Sequence, residues 1–184
     1  MIFSEIGFLP SPDAGTNQLA TTVKAGAFVH PQRAPAWDSQ AGGANAGGRI
    51  NFGFYAVGEQ DLFQRAEKKI TAFVRGGCAP ADRNVVDWYI DAGFNFAGFV
   101  PGRPDDVAGI AFARSNFSGN CSRYEQSVNG NAAFDSELII EASYRAQIFP
   151  WWTLQPDFQY ILTPDGASDC RDVFVIGLRT TVNF

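Results

Sequence analysis

The residues of this chain that can do chemistry are polar side chains placed at every second position along several stretches. Such side chains share one face of a strand, because successive side chains of a strand point to opposite faces. Their carboxylates, amides and guanidiniums offer hydrogen-bond donors and acceptors to a polar solute. We predict that this face is a solute path lined by Asp91, Asn95, Glu137, Glu141, Arg145, Gln147, Gln155, Asp157, Gln159 and Arg179.

Catalysis is a weaker interpretation of the same residues. Glu137 and Glu141 share one face at an expected spacing of about 7 Å, which would suit a glycosidase. Any alternating strand with two acidic residues gives such a pair. His30 is the only histidine, and it precedes Pro31 without an identifiable serine or aspartate partner. We therefore predict that the chain is not an enzyme.

The elements that must position these side chains are strands with one apolar and one polar face. The alternation is strictest in 135–148, 152–162 and 174–184, where Leu138, Trp152 and Phe174 begin the apolar sets. Each run has about 11–14 residues, whereas a globular strand usually has about 5–6, and a tilted strand of this length can cross a bilayer. Polar faces of mixed charge suit a water-filled interior better than a packed one. An all-β transmembrane barrel wall is predicted.

The same alternation, followed along the whole chain, gives nine strands in an antiparallel up-and-down meander. The connections at Pro101–Pro104 and Pro150–Trp151 are short, whereas those at Pro31–Gly48, Asn116–Ala133 and Thr163–Asp172 are long. Short turns at one end and long loops at the other are typical of outer-membrane barrels. The predicted connection from Gly58 to Glu67 is longer than this rule favours.

Composition and charge exclude several other classes. A chain of 184 residues suffices for one domain, and its net charge of −5 leaves no basic face for nucleic acid. No apolar run approaches the roughly 18 residues that a membrane helix needs. The high aromatic content, with 17 Phe, fits a membrane barrel but also an aromatic-rich soluble β-sandwich.

The three cysteines, Cys78, Cys121 and Cys170, have no metal-binding spacing, so neither a metal nor a cofactor is expected. Cys121 and Cys170 both fall in long loops at the same end of the predicted barrel. A disulfide between them is predicted, since it would suit an oxidising exterior.

The two ends of the chain bear on its completeness. A single-chain bacterial barrel has an even number of strands, and nine is odd. Met1–Glu5 also lacks the basic start and apolar core of a signal peptide. We expect that residues 1–184 are one portion of a larger barrel domain whose beginning is absent.

Three stretches resemble a known family. They read GFYAVGEQDLFQ, DRNVVDWYIDAGFNFAGFVPGRPDDVAGIAFA and EASYRAQIFPWWTLQPDFQYILTPDG followed by VIGLRTTVNF. These motifs resemble the carbohydrate-selective porin family of Gram-negative outer membranes, known as OprB, from about Val23 to Phe184. The match is to the C-terminal half of that family.

The resemblance implies a barrel of about 16 strands, of which this chain supplies the last nine. It implies passive diffusion of carbohydrates across the bacterial outer membrane, with small carbohydrates and outer-membrane lipid as partners. C-terminal Phe184 resembles the signal read by the barrel-assembly machinery, and a homo-oligomer is compatible with the sequence. The alternatives are a soluble β-sandwich carbohydrate-binding module and a structural or adhesive outer-membrane barrel that transports nothing.

Overall fold

The computed structural model describes residues 1–10, 20–37, 48–130, 133–167 and 169–183. They form one antiparallel sheet of nine strands in chain order, each strand hydrogen-bonded to the next. The predicted all-β, nine-strand meander is thereby confirmed. The strands are β1 (Ile2–Phe8), β2 (Thr21–Ala34), β3 (Arg49–Arg65), β4 (Lys68–Cys78), β5 (Val86–Ala97), β6 (Val107–Phe117), β7 (Ser136–Phe149), β8 (Trp152–Leu162) and β9 (Val173–Val182).

The register keeps the predicted alternation across the sheet. Asn95 of β5 pairs with Gly109 of β6, Gly109 with Ser143 of β7, and Ser143 with Asp157 of β8. One row of polar and small residues therefore crosses four strands on the same side. We call this side the polar face, and the other side the apolar face.

The large hydrophobic side chains of the apolar face are exposed. Ile176 and Leu178 of β9 are 67% and 68% exposed, and Ile110 of β6 is 51% exposed. Within the described ranges, Cys121 is the one hydrophobic residue that is buried. Soluble monomers rarely expose contiguous apolar patches above a few hundred Å². The sheet thus has no core of its own, and its apolar face requires an apolar environment.

Strand β3 is longer than the sequence pattern predicts. The stretch from Gly58 to Glu67 was expected to be a connection, but β3 continues to Arg65 and leaves a turn of Ala66 and Glu67. The prediction was wrong because the register shifts between Asp61 and Phe63, which breaks the period of two. Ala66 adopts φ of 51° to close the turn.

This correction shortens the connection between β3 and β4 to two residues. Connections 66–67, 98–106 and 150–151 lie at one end of the strands, which we call the short-turn end. Connections 35–48, 79–85, 118–135 and 163–172 lie at the other, the long-loop end. The connection 9–20 also belongs to the short-turn end and is longer than its neighbours there.

The connection between β6 and β7 contains a helix, α1 (Gly119–Asn129), where the sequence predicted a loop. Ser118 caps its start, since its hydroxyl accepts hydrogen bonds from the backbone N–H of Asn120 and Cys121 at 3.2 and 3.3 Å. Gly130 ends it in the left-handed conformation, with φ of 67°. None of the helices within the described ranges is long and apolar enough to cross a membrane.

Both cysteines of the predicted disulfide are free thiols in this structure, and the disulfide stays a prediction that thiol labelling can check. Cys121 is a free thiol buried on α1, and Cys170 is a free, exposed thiol in the connection between β8 and β9. The two loops are neighbours in order around the sheet, but α1 turns the Cys121 side chain into a pocket formed with Trp37, Val85 and Phe117. The sequence order of the loops gave no information about that orientation.

A buried carboxylate fixes the connection between β5 and β6. Asp106 is 3% exposed and accepts hydrogen bonds from Arg103 Nε at 2.8 Å, from the Gln147 backbone N–H at 2.8 Å and from the Tyr144 hydroxyl. Burial by itself would raise the pKa of Asp106, but the hydrogen bonds from Arg103, Tyr144 and Gln147 outweigh it and lower that pKa. The turn is thereby tied to β7.

Candidate channel-lining face

All ten residues predicted to line the solute path lie on the polar face. Glu141 pairs with Gln159, and Gln155 with Arg179, so these four side chains point to the same side as Asp157 and Ser143. The set extends from Glu137 near the long-loop end to Gln147 near the short-turn end. At about 3.3 Å per residue this is roughly 33 Å along the strand, so the ten residues form a wall rather than one compact site.

Three of the predicted residues line one depression in this wall. Asn95, Arg145 and Gln155 surround a cavity of about 350 Å³ together with Lys69, Thr71 and Ser143. Gly109 forms part of its floor, because a Cβ there would lie 3.2 Å from both Asn95 Oδ1 and Ser143 Oγ. The depression presents amide, hydroxyl and cationic groups around a small-residue floor.

A second depression of about 250 Å³ contains Asp91 and Glu141, beside Phe73, Arg75 and Tyr89. Asp91 is 4% exposed, and its Oδ1 lies 2.8 Å from Arg75 Nε. The Tyr89 hydroxyl donates a hydrogen bond to the other carboxylate oxygen. The carboxylate is therefore already satisfied by two side chains of the wall, whereas Glu141 remains partly open.

The acidic residues of β7 and β8 are connected by an amide. Gln159 Nε2 donates to Glu141 Oε2 at 3.0 Å and lies 3.5 Å from Asp157 Oδ2. Glu141 and Arg145, four residues apart on β7, do not pair with each other among the ion pairs of the described residues. The Asp157 carboxylate lies against Gly177, where a Cβ would collide with it, so this glycine makes room for the carboxylate.

Glu137 and Gln147 belong to the two rims of the wall. Glu137 Oε2 accepts a hydrogen bond from the Asp165 backbone N–H at 2.8 Å, and Gln147 Nε2 donates to the Phe149 carbonyl at 2.6 Å. The spacing expected between Glu137 and Glu141 was wrong. Four residues along β7 correspond to about 13 Å, which is beyond the usual glycosidase separation of about 5–9.5 Å.

The polar face also includes residues that the prediction left out. Asp61, 5% exposed, accepts a hydrogen bond from Thr71 Oγ1 at 2.7 Å and pairs with Lys69 Nζ at 3.0 Å. Farther along the sheet, Glu5 accepts a hydrogen bond from Tyr55 at 2.8 Å and pairs with Lys24 at 3.4 Å. The alternation of β2 and β4 places Lys24, Lys69 and Thr71 on the polar face. Asp61 could not be placed, because the end of β3 was predicted to be a connection.

Long strands in a single meander, an exposed apolar face and a polar face with solute-sized depressions define the wall of a porin-type β-barrel. The chain matches the family described as "Carbohydrate-selective porin, OprB family" over residues 1–184, and it belongs to that family. The resemblance seen in the sequence motifs is therefore confirmed.

Two similar proteins are longer than this chain. It is 24% identical over 147 residues to "Porin B" of Pseudomonas aeruginosa, which covers 72% of this chain and 32% of that protein. It also superposes on a structure titled "High pH structure of Pseudomonas putida OprB", with a TM-score of 0.89 and 21% identity, over 99% of this chain and 48% of that one. The superposition confirms the fold, and the chain spans about half or less of each relative.

Proposed function

We propose that residues 1–184 are the C-terminal portion of a single porin barrel domain, through which small carbohydrates diffuse passively across the bacterial outer membrane. The polar face is the lumen wall, and the apolar face meets lipid. The observation that carries this proposal is the division of one sheet into an exposed apolar face and a polar face with two depressions. Membership of the carbohydrate-selective porin family supports the choice of solute.

The wall offers a sugar weak, exchangeable hydrogen bonds. Asn95, Gln155 and Ser143 in the first depression can donate to and accept from hydroxyl groups, and Glu141 in the second accepts. Asn95 and Asp91 are four residues apart on β5, so the depressions are about 13 Å apart along the strand. Conduction requires binding strong enough for entry and weak enough for release, and shallow, separated depressions meet both conditions. No bond of the solute is made or broken.

The soluble β-sandwich is disfavoured because a sandwich buries one face of each sheet against a second sheet. The described residues form one sheet, and its apolar face is uncovered. A structural or adhesive barrel would share this architecture, so transport must be measured. Phe184, proposed as the signal to the barrel-assembly machinery, lies outside the described residues, and this role and a homo-oligomer stay predictions.

The test is liposome swelling with the full-length protein and sugars of graded size. We expect swelling faster than that of empty liposomes, with rates that fall as the sugar becomes larger. The barrel should also require detergent for extraction and migrate differently before and after boiling. Swelling at the rate of empty liposomes, by a protein that shows this heat-modifiable migration, would contradict transport while leaving the barrel fold intact.

A further inference from the structure

The turn between β3 and β4 carries two cations that face each other. Arg65 and Lys68 are register partners at the end of the hairpin, and both are exposed. Neither forms an ion pair with any residue that the structure describes, including Glu67 in the turn between them. Like charges directly opposite each other on neighbouring strands destabilise the pair. A bound anion would remove this repulsion.

Both cations lie where the apolar face ends at the short-turn end. Phe63, two residues before Arg65, pairs with Ile70. Its ring lies 6.4 Å from that of Phe99, and Lys68 Nζ is 5.6 Å from the centroid of the Phe99 ring. Phe63, Arg65 and Lys68 line a cavity of about 390 Å³ together with Ala66, Glu67 and Gly98. The two cations therefore border an aromatic surface that faces outward.

We propose that Arg65 and Lys68 bind the phosphodiester of an anionic phospholipid whose acyl chain lies over Phe63 and Ile70. This site rests on the proposed function, because it requires the apolar face to lie in a bilayer with the short-turn end at headgroup level. Two adjacent cations favour a headgroup with a net negative charge, such as phosphatidylglycerol. A zwitterionic headgroup brings an ammonium group that the same cations repel. A free phosphate would gain nothing from the aromatic surface.

The test is native mass spectrometry of the full-length protein in detergent, titrated with phosphatidylglycerol or phosphatidylethanolamine. The variant is Arg65→Gln with Lys68→Gln. The matched control is Arg123→Gln with Arg171→Gln, which removes two exposed cations at the long-loop end. We expect about thirtyfold weaker phosphatidylglycerol binding by the variant, which corresponds to about 1 kcal/mol for each cation near a membrane surface. The control should bind as the wild type does, and Lys68→Arg should retain binding.

Three results would overturn the site: equal phosphatidylglycerol binding by the variant and the wild type, equal binding of the two lipids by the wild type, or displacement of the lipid by millimolar inorganic phosphate. Heat-modifiable migration shows whether each variant is folded. Sugar permeation, measured on the same preparations, separates the two proposals. If the wild type conducts sugar but the variant binds lipid normally, only the lipid site is refuted.

Discussion

Replacing Asp106 by Asn should destabilise the barrel, because this carboxylate joins the β5–β6 turn to β7. It accepts three hydrogen bonds, from Arg103, Tyr144 and the backbone of Gln147. An amide oxygen retains part of this geometry but loses the charge that strengthens each bond. Hydrogen bonds to charged groups contribute about 1.5–3 kcal/mol each, so we expect a loss of about 2–4 kcal/mol at pH 7.

The effect should depend on pH in a defined direction. The folded-state pKa of Asp106 is lowered, so its charge stabilises the fold fully above the unfolded pKa of about 3.9. That contribution is lost as the pH falls through the lower, folded-state pKa. The stabilities of the wild type and Asp106→Asn should therefore differ most near neutral pH and converge in acid.

The assay is urea unfolding in lipid vesicles, followed by tryptophan fluorescence, at pH 7 and in acid. Asp105→Asn is a matched control, since Asp105 is the adjacent carboxylate and is exposed. We expect it to change stability by less than about 0.5 kcal/mol. If Asp106→Asn unfolds at the same urea concentration as Asp105→Asn at pH 7, the proposed role of the buried carboxylate is refuted.

Three further predictions concern the polar face and the thiols. Asp91→Asn should leave Arg75 without its ion-pair partner, so the permeability of the channel to anions relative to cations should increase. An unchanged reversal potential in a salt gradient would contradict this. Gly109→Leu should fill the first depression, where even a Cβ would touch Asn95 and Ser143. It should lower the rate of liposome swelling with large sugars by a larger factor than it lowers ion conductance. Burial raises the pKa of the Cys121 thiol, so maleimide should label the exposed Cys170 before Cys121. Labelling of neither thiol until a reductant is added would instead support the predicted disulfide.

The strands could be predicted because their alternation survives wherever the pairing is regular. β7 and β8 each keep one polar and one apolar side over more than ten residues, and no other secondary structure has this period. The far end of β3 could not be predicted, since one irregularity after Asp61 moves Phe63 onto the apolar side and breaks the pattern. A bulge leaves no signature in a single sequence beyond this break in the period.

Helix α1 was missed for a different reason. Its sequence, GNCSRYEQSVN, is rich in residues that favour turns over helix interiors. The signals that define it are the cap at Ser118 and the left-handed Gly130, and these also occur in irregular loops. The contacts of the wall were equally hidden, because Arg75 meets Asp91 only once the register of β4 against β5 is known. Alternation in the sequence predicts which face of the sheet a side chain lies on, but not which residue of the neighbouring strand it contacts.

The partners on the polar face have a consequence for the solute. The pairs Lys24–Glu5, Lys69–Asp61 and Arg75–Asp91 each neutralise one charge of each sign on the wall. A wall lined by unpaired charges of one sign would concentrate ions of the opposite sign, whereas paired charges leave mainly short-range hydrogen bonding. Neutral, hydroxyl-rich molecules respond to the second property and not to the first. This pairing between strands, rather than the acidic composition of the chain, supports the proposal that neutral solutes pass along the wall.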